Sequence, residues 1–156
     1  MNVVVGVDPG VRGGIAVLGM DGSVKHTYPL DPKMLDVLLD VVMLSLQLGC
    51  PDKTYAFVEK VQHMTGDGGK GSHTFGYIKG FLRGELRARG FLICDIYPMI
   101  WQSALGCMSG GNKNVTKARA QQLFPGVKVT HAIADSLLIA EYGRRQLLSR
   151  ESAESK

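Results

Sequence analysis

Apolar residues along this chain form short continuous runs, which predict buried strands, and runs with helical spacing, which predict amphipathic helices. The predicted strands cover residues 2–8, 13–19, 23–28, 55–58 and 91–97. One predicted helix begins at Asp31-Pro32, and a second covers residues 73–89. A short helix contains Trp101, the next helix ends at Phe124-Pro125-Gly126, and the last covers residues 131–148. Because three strands come first and later strands alternate with helices, we expect an α/β fold with a sheet of mixed direction covered by helices.

The chain of 156 residues is long enough for one domain with a substantial core, and it contains no repeat or linker. We expect that domain to span residues 1–148 and to be followed by a frayed polar tail over 149–156. The glycine-rich stretch 65–72, which has four glycines, is predicted to be a mobile loop because ordering glycine is entropically costly.

Composition narrows the class of protein only moderately. The formal charge of +4 and the pI near 9.0 suit a polyanionic partner. The three cysteines are odd in number and lack the close spacing of a metal site, which is typical of free thiols in a reducing compartment. Residues 1–20 lack a basic leader and no run is long enough to span a bilayer, so we expect a cytoplasmic protein that is neither secreted nor membrane-bound.

Asp8 is the first candidate for chemistry, since it ends the apolar run of the first strand and is followed by Pro9-Gly10. A carboxylate at such a strand end lies at the rim of the sheet, where it can face a metal, a phosphate or solvent. The alternative is an Asx-type turn that caps a hairpin, which is common for Asp-Pro-Gly.

Two further acids lie in comparable positions. Glu59 ends the buried strand that starts at Tyr55, and Asp135 lies near the start of the apolar last helix. Burying an ionised acid on such a helix costs several kcal/mol unless a cation or hydrogen bonds compensate. Carboxylates of this kind suit two Mg²⁺ or Mn²⁺ ions, which would activate a water and stabilise the leaving oxygen in phosphodiester cleavage. The alternative is three independent surface or capping acids.

His131 lies one helical turn before Asp135 and therefore on the same face of the predicted helix. It can act as a metal ligand or a base, or it can simply cap the helix or face solvent.

Several short motifs together resemble one family. They are Val5-Gly6-Val7-Asp8-Pro9-Gly10, Phe57-Val58-Glu59-Lys60-Val61, Thr74-Phe75-Gly76-Tyr77, Pro98-Met99-Ile100-Trp101-Gln102, Leu123-Phe124-Pro125 and Ala134-Asp135-Ser136-Leu137-Leu138-Ile139-Ala140. In order and spacing they resemble the RuvC-type Holliday-junction resolvases, in particular the phage-like branch, within the ribonuclease H-like superfamily. The resemblance covers about residues 2–145.

The resemblance implies a ribonuclease H-like mixed sheet flanked by helices, in a homodimer that nicks two strands of a four-way DNA junction with Mg²⁺, for which Mn²⁺ can substitute. It makes Asp8, Glu59 and Asp135 metal ligands. The family usually has a further ligand three residues before the last Asp, where this chain has Ala132, and His131 stands one residue earlier. We expect His131 to substitute for that ligand.

Basic residues are the candidates for DNA contact. By the resemblance, Lys113 and Lys117 approach the scissile phosphate or the junction backbone, and Arg119 and Lys128 add positive charge to the same region. Lys70 in the glycine-rich loop is expected to touch a phosphate, although the loop can equally lack a role. Phe75 and Tyr77 are either stacking platforms for unpaired bases or core and dimer contacts.

Three other functions compete with this interpretation. A nucleotide-binding protein of the actin and sugar-kinase kind also opens with a strand, an acid and a glycine turn, but it generally needs two such domains. A DNA-binding protein with a degraded site is favoured only by Ala132. A nuclease that also cuts flaps and forks would differ in substrate range and share the chemistry.

Overall fold

The computed structural model describes residues 3–35, 40, 54–60 and 69–154. The strands are β1 (Val3–Asp8), β2 (Gly14–Gly19), β3 (Val24–Pro29), β4 (Tyr55–Glu59) and β5 (Leu92–Ile96). The helices are α1 (Gly69–Ala88), α2 (Pro98–Ala104), α3 (Lys113–Leu123) and α4 (His131–Glu154).

The strands form one mixed sheet in the order β3-β2-β1-β4-β5. The first three strands pair antiparallel as a meander, whereas β4 and β5 run parallel to β1. A parallel neighbour requires a crossover connection, which is why the chain leaves the sheet after β3 and again through α1. The predicted α/β fold with a mixed sheet and flanking helices is confirmed.

Each face of the sheet carries its own apolar core, because successive strand residues point to opposite faces. On one face, Val4 and Phe57 pack with Leu137 and Leu138 of α4 and with Trp101 of α2. The residues of the other core are Val5, Val7, Ile15, Val17, Ala56 and Val58 of the sheet, with Ile78, Leu82 and Leu86 of α1. The sheet is therefore the middle layer between α1 and the group formed by α2, α3 and α4.

Two glycines allow α4 to lie unusually close to the sheet. A Cβ on Gly6 of β1 would stand 2.2 Å from the carbonyl oxygen of Ser136 and 2.4 Å from the amide nitrogen of Ala140. A Cβ on Gly143 would stand 2.3 Å from the Phe57 ring. The Arg144 guanidinium also donates to the Met20 carbonyl (3.3 Å), which ties α4 to the turn after β2. These contacts fix the height of α4, and with it Asp135, above the ends of β1 and β4.

Two helix boundaries differ from the predicted ones. Residues 69–72 belong to α1, although the glycine-rich stretch predicted a loop over 65–72, and residues 65–68 lie outside the described part. The last helix continues through Glu154, six residues past the predicted end, so most of the expected frayed tail is helical. A Ser152 hydroxyl that donates to the Leu148 carbonyl (2.9 Å) accompanies this extension.

The predicted helix after Asp31-Pro32 falls largely on residues 36–39 and 41–53, which lie outside the described residues. Leu35 is buried in the core shared with α1. Asp31 accepts a hydrogen bond from the Lys33 amide (3.0 Å), as expected for a residue that caps a helix start.

Three glycines four residues apart lie along one face of α1, and this face does not pack against the described part of the sheet. At Gly76, Gly80 and Gly84, an added Cβ would meet no described atom within 4 Å. Close packing of this face against the chain's own fold is thus absent from the described part.

Among the residues that the structure covers, no helix has both the length and the apolar character needed to cross a bilayer. Cys94 and Cys107 are free thiols, as the sequence predicted, and Cys50 lies outside the described residues.

Candidate metal and nuclease centre

Strand alternation brings Asp8 and Glu59 to the same face and the same end of the sheet. Gly6 and Asp8 share the face covered by α4, as do Phe57 and Glu59. In the parallel register Gly6 pairs with Phe57, and continuing this register by two residues sets Asp8 beside Glu59. Both strands end at these acids, so the two carboxylates meet at the rim as predicted.

Asp135 approaches from above, one turn into α4. It is flanked in sequence by buried Ala134 and Ser136, and the helix is held against β1 by the close approach at Gly6. All three acids are nearly inaccessible, with relative exposures of 4% for Asp8 and 8% each for Glu59 and Asp135. Three carboxylates therefore share a site that water can hardly screen.

Each acid has a different partner. Asp8 Oδ1 accepts a hydrogen bond from the Gly10 amide (2.9 Å), so the Asx-type turn considered from the sequence is also present. Glu59 Oε1 accepts from the Trp101 indole N–H (3.1 Å). Asp135 Oδ2 lies 3.5 Å from Lys113 Nζ, whereas Asp135 Oδ1 is buried without a hydrogen-bond partner in the structure.

The electrostatics of the centre favour added protons or cations. Burial is the main reason that the pKa of Glu59 rises from 4.5 to about 8, and the charges of Asp8 and Asp135 raise it further. Burial also raises the pKa of Asp8, with a further contribution from Asp135, although the Gly10 hydrogen bond opposes this. The Trp101 hydrogen bond and Lys113 lower the pKa of Glu59 but do not offset its burial.

A cavity of about 390 Å³ opens beside Glu59, Asp135 and Lys113. Its other walls come from α2 and from the loop before α3, namely Pro98, Met99, Gln102, Met108, Ser109, Gly110, Gly111 and Thr116. Gln102 holds this loop, because its side-chain oxygen accepts from the Ser109 amide (3.1 Å). Glu59 and Asp135 thus face a space large enough for a phosphate and its neighbouring sugar.

The donor set fits a divalent cation in chemistry. Three carboxylates supply oxygen ligands, and the buried Asp135 Oδ1 is an acceptor without a donor. Within residues 3–35, 40, 54–60 and 69–154, however, no three His, Cys, Asp or Glu side chains stand close enough together to enclose a metal ion. Binding a cation would therefore draw the carboxylates closer together.

His131 lies apart from the cavity beside Glu59. It is exposed at the first residue of α4 and lines a neighbouring cavity of about 780 Å³ together with Arg12, Asn112 and Ala132. Lys113 lines both cavities. His131 lies on the same side of the fold as Asp135, but it lines the neighbouring cavity. Its role as a metal ligand stays a prediction.

The basic residues predicted to contact DNA divide into groups. Lys113 is beside the acids, and Lys117 is half-buried one turn along α3. Arg119 is used internally, because its Nε donates to the Leu105 carbonyl (2.8 Å). Lys128 is exposed, and the side chain of Lys70 lies outside the described part of the structure.

The sequence interpretation missed the polar role of Trp101. Trp101 is a core residue whose side chain has 0% exposure. A buried indole usually finds an acceptor for its N–H, and that requirement was the available signal. The acceptor itself, Glu59, could not be identified without the fold.

No family model matches the chain. Among curated proteins, it is similar to the chloroplastic Holliday junction resolvase MOC1 of Chlamydomonas reinhardtii, with 31% identity over 106 residues. That match covers 64% of this chain, and the chain spans 12% of the length of the relative.

Solved structures resemble the whole fold. Thermus thermophilus RuvC matches with a TM-score of 0.70 and 17% identity, over 94% of this chain and 96% of that one. RuvC of T. thermophilus in complex with a Holliday junction substrate matches with a TM-score of 0.67 and 17% identity, over 91% and 92% of the two chains. The yeast mitochondrial Holliday junction resolvase Ydc2 gives 0.56 and 16%, over 91% and 77%. The predicted ribonuclease H-like fold of the RuvC type is confirmed, and the similarity to Holliday junction resolvases agrees with the sequence motifs.

Proposed function

We propose that this chain is a metal-dependent endonuclease that resolves four-way DNA junctions. The observation that carries the proposal is the meeting of Asp8, Glu59 and Asp135 at the end of the sheet, buried beside Lys113 and a cavity. Such a cluster is unfavourable for stability by itself, which is typical of a site built for function. The similarity to named Holliday junction resolvases supports the substrate.

The residues that would hold the cation are Asp8, Glu59 and Asp135. Mg²⁺, with Mn²⁺ as a substitute, suits oxygen ligands, and we propose two ions. When bound, the ions supply a nucleophile from water at neutral pH and neutralise charge on the phosphate. Asp8, which ends β1 beside the end of β4, would be one of the ligands that hold these ions.

The chain's own groups would orient the reaction. The Gly10 amide fixes one oxygen of Asp8, and Trp101 fixes one oxygen of Glu59. Lys113 brings a positive charge to the cavity in which the scissile phosphate would lie, where it can stabilise charge that develops in the transition state. We propose cleavage that leaves 5′-phosphate and 3′-hydroxyl ends, and His131 as an assisting ligand or base.

We also propose that the active form is a homodimer, since two symmetric nicks need two centres. On the face of α1 that carries Gly76, Gly80 and Gly84, no described atom lies within 4 Å of an added Cβ, and Tyr77 beside it is 57% exposed. This face supports the proposal as a surface on which a second copy could pack. Branched DNA would then contact the basic side chains, of which Lys113 lies beside the acids.

The first competing function is a broader debranching nuclease, which would share the same centre and accept flaps and forks. The second is a junction-binding protein with weak chemistry, favoured by Ala132 at the family's usual ligand position and by the outward position of His131.

One experiment separates these functions. Labelled four-way junction, flap and plain duplex DNA are incubated with Mg²⁺, with Mn²⁺ and with a chelator, beside the Asp8→Asn variant. We expect paired nicks in the junction alone, dependent on metal and absent in Asp8→Asn, while junction binding in a mobility-shift assay survives. Cuts in every branched substrate would indicate the debranching nuclease, and tight binding without cleavage in either metal would indicate the degraded site. Cleavage by Asp8→Asn would contradict the proposed centre. The matched control is Asp21→Asn, which makes the same substitution at an exposed turn.

A further inference from the structure

Trp101 and Glu59 form a buried hydrogen bond between residues 42 positions apart, with 3.1 Å between the indole Nε1 and the carboxylate Oε1. The indole has 0% exposure and Glu59 has 8%. A hydrogen bond in such surroundings is stronger than one at the surface, because water does not compete for either partner.

The fold delivers Trp101 to this place through the sheet. In the parallel pairing of β4 and β5, Glu59 is opposite Ile96, so both strands end at the same level. Pro98 then starts α2, a helix of seven residues that turns back over the strand ends and carries Trp101 on its inner side. The Lys60 amide that donates to the Ile96 carbonyl (2.7 Å) holds the two strand ends together directly after Glu59.

The ring belongs to the apolar core that also includes Leu105, Cys107 and Phe124. The next residue, Gln102, accepts from Ser109 and so fixes the loop that leads to Lys113. The seven-residue helix therefore controls two members of the centre, Glu59 through Trp101 and the loop before Lys113 through Gln102.

We infer that Trp101 is a positioning residue that holds Glu59 in the orientation needed to bind a cation, by fixing Oε1 and leaving Oε2 for the centre. This inference rests on the proposed function for the identity of the ligand and deepens it by adding a residue that touches neither metal nor DNA. A hydrogen-bond donor of this kind keeps a metal ligand from turning away from its site. Removing such a donor typically lowers metal affinity or activity about 10- to 100-fold.

Trp101 is the only tryptophan of the chain, which gives a test that does not depend on cleavage. Because the indole N–H donates to Glu59 Oε1, its emission should respond to changes at Glu59. We expect the emission of the wild-type protein to change when Mg²⁺ or Mn²⁺ is added and to differ in Glu59→Leu, which removes the acceptor, without metal. Emission that responds neither to the ions nor to Glu59→Leu would overturn the inference, even if Trp101 variants fail to fold.

The second measurement is a double-mutant cycle on metal affinity by calorimetry, with Trp101→Phe, Glu59→Gln and the double variant. Trp101→Phe keeps an aromatic ring and removes the donor, and Phe124→Leu is the control for loss of packing in the same core. We expect Trp101→Phe to weaken Mg²⁺ binding about 10-fold, Phe124→Leu to leave it near the wild-type value, and Trp101→Phe to have no further effect once Glu59 is Gln. Equal effects of Trp101→Phe and Phe124→Leu, or additive effects with Glu59→Gln, would overturn it.

Cleavage kinetics distinguish this inference from the proposed function. If the wild type resolves junctions, Trp101→Phe should lower kcat about 10-fold or more without changing KM for the junction. If the wild type cleaves no DNA, the proposed function fails, and the calorimetric cycle and the emission still decide whether Trp101 positions Glu59.

Discussion

Lys113 and Asp135 form an ion pair at the edge of the carboxylate centre, with 3.5 Å between Nζ and Oδ2. Lys113 is the first residue of α3 and Asp135 lies one turn into α4, so the pair joins the starts of two helices. Because Lys113 is the basic group that acts on all three acids of the centre, whether through the ion pair or through its charge, it offsets part of their mutual repulsion.

Replacing Lys113 by Met should reduce junction cleavage about 100-fold, because the phosphate in the cavity loses a preorganised positive charge. Stability should fall by no more than about 1 kcal/mol, since the lysine is 56% exposed and solvent screens the pair. Single-turnover cleavage with saturating enzyme and urea unfolding measure the two effects.

Lys128→Met is the matched control, because Lys128 is exposed and lines neither cavity. If both variants lose cleavage equally, general attraction to DNA explains the loss and Lys113 has no particular role.

The raised pKa of Glu59 predicts that the metal-free protein becomes less stable as pH rises. The folded state keeps the proton up to about pH 8, whereas the unfolded chain loses it near the ordinary value of 4.5. The unfolded state binds fewer protons between these values, so the free energy of unfolding falls across this window and levels off above it. The direction of the Asp8 shift has the same sign. Urea unfolding in chelator from about pH 5 to pH 9 measures the slope.

Glu59→Gln removes this ionisation and should flatten the curve, leaving the titration of histidines and the other groups common to both proteins. At about pH 9 the variant should exceed the wild type by a few kcal/mol. A wild-type curve that rises with pH in the window, or a variant curve with the same slope, would contradict the buried ionisation.

The meeting of the three acids was predictable from the sequence, and the reason is geometric. Asp8 and Glu59 each end a buried apolar run, and the ends of parallel strands lie at one edge of a sheet. Asp135 lies near the start of an apolar helix that packs on the sheet, and this favours a position at the same edge. Such positions can be predicted from regular periodicity, because the periodicity determines the face of the strand or helix on which each residue lies.

Two contacts of these acids were not predictable, the hydrogen bond from Trp101 to Glu59 and the ion pair of Lys113 with Asp135, because they join segments that are distant in the sequence. Lys113 follows a loop in which Gly106, Gly110 and Gly111 have positive φ. The course of such a loop produces no regular pattern of apolar residues from which its path could be predicted. The start of α1 at Gly69 also escaped prediction, since glycine disfavours helix by about 1 kcal/mol and tertiary contacts decide the outcome.

The glycines offer a test of the packing between α4 and β1. Gly6→Ala places its Cβ against the backbone of Ser136 and Ala140, which cannot move aside as a side chain can. We expect it to lower the free energy of unfolding by about 3 kcal/mol or to prevent folding. Gly80→Ala on α1, where the added methyl group meets no described atom within 4 Å, should raise it by up to about 1 kcal/mol. Urea unfolding gives both values.

The same Gly80→Ala variant reports on the dimer. If the face of α1 that carries Gly76, Gly80 and Gly84 is where two copies pack, an added methyl group should weaken self-association in analytical ultracentrifugation while the single chain becomes more stable. An unchanged monomer–dimer equilibrium would place the dimer interface on another surface.

Asp8→Asn should make the metal-free protein more stable while it abolishes cleavage. The Asn side-chain oxygen can still accept from the Gly10 amide, so the turn is kept, and the substitution removes a buried charge that Asp135 repels. We expect a gain of about 1–2 kcal/mol at neutral pH, the usual sign when a functional charge cluster is relieved. Mg²⁺ should stabilise the wild type and close the gap, because a ligand that binds the folded state shifts unfolding by mass action. The variant should respond to Mg²⁺ much less, and thermal unfolding of both proteins with and without the ion measures this. If Asp8→Asn destabilised the metal-free protein, Asp8 would be a structural turn residue first, and the acids would not form the repulsive centre on which the proposed chemistry depends.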